Sequence, residues 1–247
     1  MKFLYKLFLL VFGVLLLAPS CKKDDPTPLT PPTSNNTLSP GNPSPSDADA
    51  VMYAIVQKSI QDLPFGPVEL SQSIPIAVFA NGSGMPTSVG SVFIEGRKMT
   101  FLSGTYTYFP GFMDTLGPLS LEGADIEWSA SGGNGFPSFT RVDSSPWPNV
   151  GAFTSSTTIS KSSSYTMSVT GVANADSTIF SLGETLSVTV PGNVSSYTFN
   201  SSELSSLKLT GELMAVTAYR LGKEIVGPKK VYLGKLLTYQ TPVQVIP

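Results

Sequence analysis

The chain has 247 residues, 13% of them charged, a formal net charge of −2, one cysteine and no histidine. These counts exclude an internal disulfide and both the Ser-His-Asp and Cys-His catalytic arrangements, and they disfavour zinc sites built on Cys and His. With an acidic pI near 5.2 and no basic stripe, the chain is also a poor partner for nucleic acid, which requires clustered Lys and Arg. The charged fraction is about half the usual ~25%, and Ser, Thr, Gly and Pro take its place, a mixture that suits strands and turns rather than Glu/Lys-faced helices.

The N-terminus is built in three parts. Lys2 and Lys6 supply positive charge, residues 7–17 are apolar apart from Gly13, and Ala18, Pro19 and Ser20 bring small residues before Cys21. This is the order of a secretory signal, and the apolar run is too short for a membrane span of ~20 residues. Removing residues 1–20 takes Lys2 and Lys6 away, leaving 13 basic and 17 acidic residues and a net charge near −4.

Over residues 1–25 the chain resembles bacterial lipoprotein precursors. In that family the lipobox cysteine receives a diacylglycerol and becomes the first residue after cleavage, which implies lipidation of Cys21 and anchoring in the membrane. The family prefers Leu three positions before the cysteine; here that position is Ala18, with Leu17 one place earlier. Ala18 and Ser20 also satisfy the small-x-small rule of ordinary signal peptidase, and both readings cut before Cys21. The run Lys22, Lys23, Asp24, Asp25 is similar to the start of Bacteroidota outer-membrane lipoproteins, where a Lys followed by two acids acts as an export signal to the cell surface. The simpler reading of these four residues is a solvated charge run.

Residues 26–46 contain seven prolines, and their apolar residues are Leu29 and Leu38. No core can form, so this stretch is expected to be a disordered, extended tether of at most about 65 Å at ~3.1 Å per residue.

Residues 47–247 carry the β signals. Residues 49–56 fit either a strand or a short helix. Residues 74–79 read as a strand closed by the turn cluster 81–84. Residues 91–94 and 99–102 read as a hairpin around Glu95 and Gly96, and 105–108 alternate. In 124–130, Ile126, Trp128 and Ala130 fall on one face and Asp125 and Glu127 on the other. Beyond Pro146-Trp147-Pro148, seven strands are expected at 154–160, 164–171, 177–182, 186–190, 195–199, 213–220 and 236–245. A capped helical turn is expected at 200–207. Seven short strands in about 100 residues is the signature of an immunoglobulin-like sandwich. The expectation is therefore all-β with Ig-like sandwich modules: a β-rich domain at 47–149 and an Ig-like sandwich at 150–247, or one large sandwich over both, following a 1–20 signal and a 21–46 tether.

The glycine-rich run 131–137 does not open a helix and reads as a loop, not a phosphate cradle. Three residues remain as candidate ligand contacts. Trp147, between two prolines in a loop, is a candidate stacking platform, and Asp125 and Glu127 share a strand face. Exposed aromatics stack on sugar rings, and acids accept sugar hydroxyls. Tyr106 and Tyr108 point the same way as each other, and Trp128 sits on the core face. No metal or cofactor is called for. The expectation is a non-enzymatic binding or structural module contacting a glycan, a surface protein or the envelope. The alternative is a carbohydrate-active enzyme using Asp125 and Glu127 as a carboxylate pair.

Overall fold

The segment 49–56, open to two readings from its pattern, begins the 14-residue strand β1 (Ala50–Leu63). Alternation is invisible there because both faces are buried: Ala50, Met52, Ala54 and Val56 on one side, Val51, Tyr53 and Ile55 on the other. A strand covered on both faces reads as a continuous apolar run. The computed structural model of the chain describes residues 45–63, 66–109, 118–209 and 211–247. Cys21, Lys22, Lys23, Asp24 and Asp25 lie outside the described residues, as do the expected signal and the tether up to residue 44.

The protein is all-β apart from one four-residue helix, α1 (Ser201–Leu204), among the described residues. That helix forms where a capped turn is expected, with Asn200 as its N-cap. The Glu203 N–H donates to Asn200 Oδ1 at 3.0 Å, and the Asn200 N–H donates to Glu203 Oε2 at 2.8 Å. This reciprocal pair satisfies two of the helix's orphan donors.

β1 lies within a nine-stranded sheet. Its partners are β2 (Gly66–Phe79), β5 (Thr100–Leu102), β6 (Thr105–Thr107), β10 (Thr158–Ser160), β13 (Ser177–Leu182), β14 (Leu186–Pro191), β16 (Gly211–Val226) and β17 (Lys229–Ile246). The order is β14-β13-β16-β17-β1-β2-β6-β5, with β10 beside the end of β17. β16 and β17 close a long hairpin through Gly227-Pro228, with Gly227 at φ 58°, a left-handed geometry that glycine adopts freely. β1 runs parallel to β17 from Ala50↔Val231 to Ser59↔Gln240.

That parallel pairing runs across the expected division at 149/150. Strands from both sides of residue 150 share one sheet, and their side chains share one core cluster. The Pro-rich break at 146–148 is a loop between two strands. Strand rhythm and local breaks report neighbours in sequence, and they are silent about which distant strands pair.

A second sheet packs on the Ala50/Met52 face. It consists of β3 (Val92–Ile94), β4 (Arg97–Lys98), β7 (Ile126–Ala130) and β8 (Phe139–Asp143) in the order β4-β3-β7-β8. The hairpin expected over 91–102 is split: β3 and β4 turn at Glu95-Gly96, and then β5 crosses to the large sheet. Buried Met99 marks the crossing. Between the sheets, Phe79 makes edge-to-face contacts with Tyr106 at 5.8 Å and Phe136 at 5.0 Å. Trp128, Ile126, Ile94 and Tyr106 are buried in the same cluster. The Tyr106 hydroxyl donates to the Gly90 carbonyl and accepts from the Val89 N–H, both at 2.8 Å, which fixes the approach to β3. Two small pairs complete the body: β9 (Asn149–Val150) with β12 (Val172–Ala173), and β11 (Tyr165–Ser168) with β15 (Ser196–Phe199).

Candidate binding surface

In β7, alternation sends Ile126, Trp128 and Ala130 into the core and leaves Glu127 exposed on the outer face of the small sheet. Register then assembles a patch around it. Ser129 pairs with Phe93 on one side and Thr140 on the other, while Glu127 pairs with Val142. Phe93, Ser129, Ala130, Ser131, Ser138, Phe139 and Thr140 line an open depression of about 420 Å³. Val142 is 55% exposed at its margin. Glu95 Oε1 accepts the Glu127 N–H at 2.6 Å, so a second carboxylate stands beside the first. The patch thus offers one aromatic ring, four hydroxyls and carboxylates on a rigid sheet. Those groups can stack on and hydrogen-bond to a polyhydroxylated ligand.

Asp125 and Trp147 come together at the start of β7. The Trp147 indole N–H donates to the Ala124 carbonyl at 2.7 Å, and Asp125 is exposed next to it. Trp147 is half-buried instead of standing free in its loop, because three groups hold it. Ala124 takes its N–H, the Asn174 amide donates to its carbonyl at 3.0 Å, and the Lys235 ammonium lies 5.4 Å from its ring centroid. Its polar edge is therefore spent on fastening the loop. Glu127 lies on the outer face, so of the three nominated residues it is the one placed beside the depression.

Beneath Trp147 lies a group that sequence reasoning missed. Lys235 is 1% exposed, and its ammonium donates to the carbonyls of Ser145 at 2.7 Å, Asp143 at 2.9 Å and Ala124 at 3.3 Å. Burial pushes its amine below the ordinary lysine range, against the opposing pull of the Asp143 and Asp125 carboxylates.

A second polar cluster draws on three distant segments. Lys58 of β1 pairs with Glu122 at 2.7 Å and Glu69 of β2 at 3.7 Å. Burial works to lower the Lys58 amine, but these two carboxylates outweigh it and the net direction is upward. Tyr239, against Phe153 at 5.7 Å, borders the cluster, and its hydroxyl is raised by burial and by the Glu69 charge. The two carboxylates are occupied as partners of one ammonium. No periodicity could have signalled this cluster, since β1–β2 pairing sets Lys58 near Glu69 and Glu122 joins them from a loop.

Compared with known proteins, the chain matches no protein-family model, no curated protein and no solved structure.

Proposed function

We propose that this protein is a lipid-anchored outer-membrane lipoprotein, displayed at the cell surface, whose β body binds a glycan-bearing partner through the outer face of the small sheet. The observation that carries the binding reading is the Phe93 depression, with four hydroxyls on its β7 and β8 side and Glu127 further along the outward face of β7. A shallow, rigid, hydroxyl-lined sheet face with one ring suits a sugar chain lying across it better than a small molecule engulfed in a pocket. The anchoring reading rests on the 7–17 apolar run, Cys21 and the Lys22–Asp25 charges in the sequence.

The test is a panel of immobilised glycans probed with the full chain in detergent. Phe93→Ala and Glu127→Gln are each expected to weaken the best hit about tenfold, the order of one lost stacking or hydrogen-bond contact. Unchanged binding in both variants refutes the site. Hydrolysis of the glycan, lost in Asp125→Asn or Glu127→Gln, would replace this reading with the carbohydrate-active one. Mass spectrometry of the N-terminal peptide from intact cells tests the anchor, and an unmodified Cys21 thiol there refutes it.

A further inference from the structure

Three turns of the large sheet reach the same end of the body. β1 begins with Ala50 paired to Phe79, the last residue of β2, and to Val231, near the start of β17. The turn between β16 and β17 and the loop 80–86 after β2 therefore lie at that end. The β5–β6 turn joins them. Ala77 pairs with Tyr106, Leu102 pairs with Thr105, and a Cβ on Gly104 would stand 2.9 Å from a Pro86 ring carbon. Each turn carries one large apolar side chain into solvent: Met85, Leu102 and Ile225 are all more than half exposed. A single exposed Leu is ordinary, but these three stand on neighbouring turns in a row. The six strands from β16 to β5 set the length of that row at about 24 Å, at ~4.8 Å per step. The Met85 loop is held by its own hydrogen bonds. Asn81 Oδ1 accepts the Ser83 N–H at 2.9 Å and the Met85 N–H at 3.0 Å, and the Asn81 N–H donates to the Met85 carbonyl at 2.9 Å.

The chain joins the body at this end. The Ala80 N–H donates to the Asp49 carbonyl at 2.7 Å, and the Asp49 N–H donates to the Lys230 carbonyl at 2.9 Å. Asp47 accepts from the Tyr232 hydroxyl at 2.7 Å and from the ammoniums of Lys230 at 3.0 Å and Lys223 at 3.1 Å. Cys21 precedes residue 45, the first described, by twenty-four positions. Lys223, Lys229 and Lys230 stand here against Asp47 and Asp49, an excess of one positive charge.

We propose that this end of the β body rests on the bilayer surface, with Met85, Leu102 and Ile225 entering the interfacial layer. Single side chains spaced along a row suit a fluid apolar layer, which conforms to each of them, better than a protein surface, which must be shaped to all three. Lysine stems can follow the tips down while their ammoniums stay among the headgroups. Three side chains make a weak, reversible contact, so it depends on a lipid at Cys21 to keep the body within reach. The inference thus rests on the anchored reading and is independent of the glycan-binding one. Contact at this end points β1 and β17 away from the bilayer and gives the body one orientation, which a tether by itself does not.

Photo-crosslinking tests it in membranes of the cells that make the full chain. p-Benzoylphenylalanine replaces Met85, Leu102, Ile225 or, as a control, Leu209, which is exposed at the opposite end just before Gly211 pairs with Gln244. Irradiation should attach a membrane phospholipid at each of the first three positions at least fivefold more than at Leu209. With Leu102→Ser and Ile225→Ser in the same chain, the yield at position 85 should fall about fivefold, the effect of withdrawing apolar side chains from partial burial. Equal yields at all four positions overturn the proposal. So do adducts formed only with another protein, a second copy or the chain's own acyl groups, and so does the absence of adducts in a chain that keeps its β circular-dichroism spectrum. Cys21 is analysed in the same sample. A lipidated Cys21 without adducts at the tips overturns this inference and leaves the anchor standing. An unmodified Cys21 with adducts at the tips upholds this inference and removes the anchor.

Discussion

Lys235 occupies a position in β17 where the alternation calls for an apolar side chain, between Leu233 and Leu237 on the core face. An ammonium taken out of water is tolerated only with its donors matched, and here three carbonyls and the Trp147 ring match them. Lys235→Ala should cost about 3 kcal/mol in urea unfolding, because carbonyls at Asp143 and Ser145 lose their donor and a cavity remains. Lys235→Met, similar in length, should cost less and should separate packing from charge. The pH dependence has a definite sign. The folded-state amine lies below its ordinary 10.5, so the unfolded chain binds the extra proton. Stability of the wild type relative to Lys235→Met should therefore rise as the pH climbs toward 10.5. A flat difference across that range would show that the buried amine is not depressed. Glu127 and Trp147 mark the limits of reading single residues. The outward aim of Glu127 follows from period two, and the structure has it exposed. Trp147 looked free because of its flanking prolines, but side chains from β17 and from residue 174 reach over to fasten it.

At the scale of the element, strand existence was legible and strand length was not. The strands expected at 213–220 and 236–245 lie inside 16- and 18-residue partners. The expected second strand starts one residue after Lys235, where a charge interrupts the apolar run. The interruption is real in sequence and harmless in the fold, because the small sheet brings carbonyls to it. The same holds at the start of β1. Hydrogen bonds from Tyr232, Lys230 and Lys223 hold the Asp47 carboxyl well below its usual range. Burial works to raise Asp49, but the Lys230 N–H and the Lys229 ammonium lower it on balance. Carboxyls depressed in the folded state contribute stability that is present above their ordinary 3.8 and lost as the pH falls below it. Acid should therefore loosen the first turn of β1 ahead of the core. Amide exchange of Asp49, whose N–H donates to the Lys230 carbonyl at 2.9 Å, should speed up below that pH. In Asp47→Asn and Asp49→Asn it should already be fast at neutral pH. Acid-insensitive exchange would remove these carboxyls as the anchor.

At the scale of the whole molecule, β1 is the seam. It joins the N-terminal hairpin to the C-terminal one, antiparallel to β2 and parallel to β17. Fragments ending at 149 and starting at 150 each lose one side of that seam and expose the apolar faces of Met52, Leu233 and Leu237. Neither should fold alone, and the intact body should unfold in a single transition by circular dichroism and by tryptophan fluorescence. Two separated transitions, or a folded 150–247 fragment, would support the two-module description instead. The sequence by itself determined the all-β class, the inward face of β7, the Glu95-Gly96 turn and the capped turn at 200–207, since each follows from interactions within a few residues. Only the tertiary structure decided that strands from both sides of residue 150 share a sheet, that Phe93, Ser129 and Thr140 stand in a row, that Lys58 holds Glu69 and Glu122, and that Lys235 is buried. Those features depend on strand pairing and on where loops are carried by it, and local periodicity carries no information about which segment becomes a neighbour.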